Sequence, residues 1–115
     1  MNLKIPVKGA DRFYTMLMLF APFKPFNTLN NRERQVLSEL LYIDHELKQL
    51  EEEKRNRLIF DYDTRREISH KLGISTNSVY NIMSALKRKG FIGKGTIVRN
   101  LEYVNEINIQ FVDGK

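Results

Sequence analysis

"KLGISTNSVYN", residues Lys71 to Asn81, packs two helix boundaries into three residues. Leu72 closes one helical pattern. Gly73 follows where a helix ends in a left-handed residue, a conformation glycine takes without steric cost. Ile74 plugs the corner. Ser75 is placed to cap the next helix, its hydroxyl accepting from an exposed amide. Upstream, Thr64 and Glu67 have capping-box spacing, and Ile68 and Leu72, four apart, give that helix one apolar stripe. The spacing predicts helices over Thr64 to Leu72 and Thr76 to about Lys89. A short helix, a glycine turn and a capped second helix are the parts of a helix-turn-helix.

The second helix sorts cleanly by angle. Val79, Ile82, Met83 and Leu86 fall on one face, while Asn77, Asn81, Ser84 and Arg88 fall opposite, with Tyr80 on the flank. A face that only meets solvent is usually filled with glutamate and lysine, and glutamate is absent here. Asparagine can bond adenine through two contacts in the major groove, arginine can bond guanine, and serine adapts to either. The polar choice points to recognition rather than to mere solvation.

Charge supports the same segment. The chain carries +5 in total. Residues 64–99 hold Arg65, Arg66, Lys71, Lys87, Arg88, Lys89, Lys94 and Arg99 against one acid, Glu67, a net +7 that leaves −2 elsewhere. Basic charge gathered on one segment is the footprint expected for a polyanion partner.

The 115 residues suffice for one domain. With no cysteine there is neither a disulfide framework nor thiolate chemistry, which fits a reducing compartment. The longest apolar run, "MLMLFAPF" (Met16 to Phe23), is far short of the roughly 20 residues of a spanning helix. No small-residue cleavage site follows it. The expectation is a soluble, cytoplasmic protein without an export signal or a membrane partner.

Outward from the motif, Leu3, Ile5 and Val7 alternate with polar neighbours as in a strand, and Pro6 suits an edge. A short apolar helix is predicted from about Asp11 to Ala21, stopped by Pro22 and Pro25. Its aromatics suit core packing. Asn30 and Glu33 form a capping box ahead of Val36, Leu40, Ile43, Leu47 and Leu50, a seam that either packs on its own domain or forms a homodimer contact. "EEEKRNR" (51–57) reads as a solvated helix end or a loop, and "LIFD" as a small strand or docking turn. Beyond "GFIGKGTIV", Leu101, Tyr103, Ile107, Ile109 and Phe111 alternate as a strand.

Taken together, "TRREISHKLGISTNSVYNIMSALKRKGFI" resembles the winged helix-turn-helix of bacterial and phage regulators. "LNNRERQVLSELL" is similar to the helix that precedes the motif in that family, so the resemblance covers about residues 29–99. It implies an α+β, mostly helical fold, a winged helix-turn-helix with a small antiparallel sheet. The expected organisation is a single domain over 1–115: a strand-and-helix extension at 1–29, the winged motif at 30–100 and a C-terminal strand at 101–115. The resemblance assigns base reading to Thr76, Asn77, Ser78, Tyr80, Asn81 and Ser84. It assigns DNA-backbone contacts to Ser75, Lys87, Arg88 and the wing's Lys94. Two departures stand out: Ser69 replaces a small alanine where the two helices touch, and the wing is short.

Catalytic chemistry finds no foothold in the sequence. His45 and His70 lie on different predicted helices without familiar metal-ligand spacing. Asp61 and Asp63 suit turn formation and capping better than cation binding. "GFIGKG" lacks P-loop spacing. The expected function is therefore that of a non-enzyme without cofactor or metal: a sequence-specific double-stranded DNA-binding protein, a transcriptional regulator of bacterial or phage type. Two alternatives stay open. One is an adaptor that meets another protein, in a phage particle or on RNA polymerase; the other is a replication initiator.

Overall fold

The computed structural model describes residues 2–5, 9–93 and 108–111. Helix α1 (Ala10–Leu19) turns Phe13, Met16 and Leu17 inward, and Phe20 follows them into the core. After a 3-10 turn at Phe26–Thr28 comes the central helix α2 (Asn31–Glu46). Its capping box forms as expected. The Asn30 side chain accepts from the Glu33 amide at 2.9 Å, and the Glu33 carboxylate accepts from the Asn30 amide at 2.8 Å. Val36 and Leu40 are fully buried by this chain's own helices, so the upper part of the predicted seam packs internally. The seam also stops short: α2 ends at Glu46, and Leu50 is exposed.

The charged stretch after it is neither a loop nor the end of α2. It is a separate helix, α3 (Glu52–Ile59). Glu52 and Glu53 lie in its first turn and Arg57 in its last, the arrangement the helix dipole favours. Glu53 and Arg57 pair one turn apart at 3.3 Å. Of its side chains Ile59 alone is buried, and Arg55 draws the helix back onto α2 through Asp44 at 3.1 Å.

Helices α4 (Tyr62–Leu72) and α5 (Thr76–Arg88) follow. The start of α4 corrects the sequence reading. Asp61 is the cap, its side chain accepting from the Asp63 amide, and Thr64 lies inside the helix with its hydroxyl donating to the Leu58 carbonyl. Asp61 won because it stands three residues ahead of Thr64 and reaches the first free amides of the helix.

Around α2 the core is continuous. It runs from Phe13, Met16, Leu17 and Phe20 through Phe26, Leu37 and Leu40 to Ile68, Val79 and Leu86. Phe26 joins its two ends, with ring centroids 5.1 Å from Phe20 and 5.7 Å from Phe91. Full burial of such a side chain contributes about 1.5–3 kcal/mol. Replacing α5's inner face would therefore undo the packing of the other helices.

The expected α+β class with a small antiparallel sheet is overturned. The described body is helical. The strand pair among the described residues, β1 (Asn2–Ile5) with β2 (Asn108–Phe111), runs parallel, with Asn2 opposite Asn108 and Ile5 opposite Phe111. A hairpin wing needs adjacent antiparallel strands; this pair instead joins two distant segments. Lys94, the rest of the expected wing and residues 101–107 lie outside the described residues.

Candidate nucleic-acid interface

The turn between α4 and α5 is built as its residues require. Gly73 has φ 68° and ψ 33°, the left-handed region. The Ile74 amide donates to the Ser69 carbonyl at 3.0 Å and the Gly73 amide to the His70 carbonyl at 3.4 Å, closing the end of α4. The same device closes α5. Gly90, at φ 88°, lets the Phe91 amide reach the Leu86 carbonyl at 2.9 Å. Ser75 begins α5, its hydroxyl oxygen accepting from the Ser78 amide at 3.0 Å. Ser69 is buried on α4, and its hydroxyl donates to the Arg66 carbonyl at 2.7 Å, so it is not left as a stranded polar group.

These constraints present the polar face of α5 to solvent. Asn77, Tyr80, Asn81, Lys87 and Arg88 are exposed, while Thr76, Ser78 and Ser84 are half-buried. The ten residues named from sequence do not share one role. The Ser75 hydroxyl donates to the Ser78 hydroxyl at 2.9 Å in addition to its capping bond, so Ser75 and Ser78 are engaged with each other. The Ser84 hydroxyl donates to the Tyr80 carbonyl at 3.1 Å. Asn77, Asn81 and Arg88 are exposed on the outer ridge, and among the described residues their side chains have no hydrogen-bond or ion-pair partner. Lys94 falls outside the described residues.

Two clefts border that ridge. On the side of α2, Arg32 stands beside Ile74, Ser78, Asn81 and Ile82. Its guanidinium donates to Gln35 Oε1 at 3.0 Å and reaches the Leu72 carbonyl at 3.5 Å. On the opposite side, Arg65 and Lys87 flank a cleft with Tyr80 and Met83. Arg65 donates to the Phe60 carbonyl at 3.1 Å and lies between two tyrosine rings, 5.6 Å from the centroid of Tyr62 and 5.9 Å from that of Tyr80. Arg32 and Arg65 were not singled out by sequence reasoning as contact residues, because each belongs to a helix other than α5.

The basic segment is less free than its net charge implies. Lys89 binds Glu33 at 2.6 Å, Lys71 binds Glu39 at 2.9 Å and Arg66 lies 3.6 Å from Asp63. Glu33 and Glu39 are both buried on α2, so two lysines of the helix pair serve to hold it against the central helix. Among the described residues, Arg32, Arg65, Lys87 and Arg88 have no carboxylate within 4.0 Å. They are the cations that a polyanion lying along α5 would meet.

Asp61 and Asp63 are engaged in the cap and with Arg66. Among the described residues no group of three metal-ligating side chains forms, and no helix is long and apolar enough to cross a membrane. Comparison of the chain with protein-family models, curated proteins and solved structures gave no match.

Proposed function

We propose that this protein binds double-stranded DNA by laying α5 in the major groove, and that it acts as a cytoplasmic transcriptional regulator of bacterial or phage type. One observation carries the reading. The exposed ridge of Asn77, Asn81 and Arg88 is bordered on both sides by cations that lack carboxylate partners among the described residues, Arg32 on one flank and Arg65 with Lys87 on the other. A major groove about 12 Å wide admits one helix and is walled by phosphates on both sides. Ridge amides then meet base edges, and flanking cations meet phosphates; the first group specifies and the second positions. The resemblance to helix-turn-helix regulators supports this reading through the helical part, residues 29–93. A replication initiator would use the same surface.

The test is a gel-shift titration of the full chain against genomic fragments and random duplexes between 50 mM and 200 mM salt. Binding that weakens steeply with salt is the expected result. Absence of binding to any duplex at 50 mM would reject the reading.

A second reading has its own observation. Leu58, Tyr62 and Tyr80 are exposed by 45%, 55% and 57%. Exposed aromatic residues are enriched in protein interfaces, which suits an adaptor on a phage particle or on RNA polymerase. The same titration separates the two, since an adaptor needs no affinity for duplex DNA.

A further inference from the structure

The cleft beside α5 has a composition that duplex binding does not require. It is an open depression of about 250 Å³ among Phe60, Arg65, Tyr80, Met83, Lys87 and Ile92. Phosphate contacts ask for cations at a surface, and not for an apolar recess behind them. Here the recess is walled by Phe60, Met83 and the buried Ile92, with the two cations alongside. Tyr80 stands at its edge, with the Arg65 guanidinium over the ring, 5.9 Å from its centroid. Arg65 is itself anchored by the Phe60 carbonyl at 3.1 Å, which preorders the cation next to the apolar wall.

We propose that this cleft holds one unstacked nucleotide, with its base against Tyr80, Phe60 and Met83 and its phosphate on Arg65 and Lys87. The size argues for a small occupant, since drug-sized ligands take pockets of roughly 300–1,000 Å³. The chemistry argues for a planar body joined to an anion. A base stacks on an aromatic side chain whatever its sequence, and a phosphate suits a guanidinium and an ammonium together. Such a nucleotide has two sources, a free mononucleotide or an unpaired position in a bound strand. A base already unpaired enters at the least cost.

The experiment uses the full chain in three NMR titrations that follow the Met83 methyl and the Tyr80 ring: inorganic phosphate, adenosine monophosphate, and a duplex carrying a single-nucleotide bulge beside its fully paired parent. Inorganic phosphate is expected to leave the Met83 methyl unmoved. If the source is a free nucleotide, the monophosphate shifts both probes. If it is a strand, the bulged duplex shifts them and binds at least about fivefold tighter than the paired one. In either case Tyr80→Ala removes the gain and Tyr80→Phe, which keeps the ring, retains it. The proposal is overturned if phosphate alone reproduces the nucleotide's shifts, or if neither nucleotide source moves Met83. Failure is distinguishable from failure of the duplex reading. Paired duplex that binds without any cleft response rejects this inference alone. Monophosphate that fills the cleft of a protein blind to paired duplex rejects the other.

Discussion

The Lys89 ammonium lies 2.6 Å from the carboxylate of Glu33, and Glu33 is 4% exposed. The same carboxylate oxygen accepts from the Asn30 amide, and the same ammonium donates to the Thr28 carbonyl at 2.6 Å. One ion pair thus joins the end of α5 to the start of α2, across a separation of 56 residues. Lys89 is read as structural on this ground, although its neighbours Lys87 and Arg88 are exposed and have no carboxylate partner among the described residues.

That division gives the first prediction. Lys89→Met leaves a buried carboxylate without its cation, which costs about 3–5 kcal/mol when a pair is truly buried. The lysine is 31% exposed, so the loss is expected nearer about 2–3 kcal/mol. Lys87→Met, with no carboxylate partner among the described residues, should stay within about 0.5 kcal/mol of the parent. Chemical denaturation of both variants checks this. Equal stabilities would show that the Lys89 contact does not hold the helices.

Gly73 gives a second. A Cβ built there meets no atom within 4 Å, so the penalty starts from the backbone angle, φ 68°. Gly73→Val is expected to cost about 1–3 kcal/mol, because a β-branched residue resists positive φ. Gly73→Asn should cost less, since asparagine tolerates the left-handed region. Thermal melting of the pair tests the order; a valine variant as stable as the asparagine variant would mean that the turn has changed shape.

The turn, the Ser75 cap of α5 and the Asn30–Glu33 box of α2 were legible because their chemistry is local, each acting within four residues of itself; the cap of α4 was not, because Asp61 took the place expected of Thr64. Helix α3 was not legible. Its stability comes from Glu53–Arg57 and Asp44–Arg55 pairs, and a single buried Ile59 leaves no apolar period to read. Nor could the alternation at Ile109 and Phe111 name a partner strand or its direction; that partner is β1, at the other end of the chain. The charge of the basic segment was plain, but its partial neutralisation was hidden. Glu39 and Glu33 lie on α2, far in sequence from Lys71 and Lys89.

The third prediction follows from that neutralisation. If only unpaired cations release counterions, the four that flank or end α5, Arg32, Arg65, Lys87 and Arg88, supply up to four phosphate contacts. Each contributes about −0.9 to the slope of log K against log salt, so they contribute about −3.6 together. Lys87→Ala should make the measured slope shallower by about one unit. Lys71→Ala, whose lysine is held by Glu39 at 2.9 Å, should leave it unchanged. A Lys71 variant that flattens the slope as much as the Lys87 variant would show that the ion pair opens on binding.

The last prediction separates specificity from affinity across the ridge. Asn81 is exposed on the outer face, and its amide suits an adenine edge. Arg32 stands beside it on α2, where a phosphate is the natural partner. Asn81→Ala should therefore lower discrimination between a selected and a scrambled duplex by about 1–3 kcal/mol, with little change in salt slope. Arg32→Ala should weaken both duplexes alike and flatten the slope by about one unit. Among the described residues the side chain of Arg32 bonds only Gln35 and the Leu72 carbonyl, at the exposed start of α2, so its removal is expected to spare the fold. Each variant is titrated against both duplexes across a salt series. If Arg32→Ala abolishes discrimination while Asn81→Ala preserves it, α2 is the reading element and α5 is docked the wrong way round. If neither variant alters binding to a duplex that the parent protein holds, the polar ridge of α5 does not face the DNA.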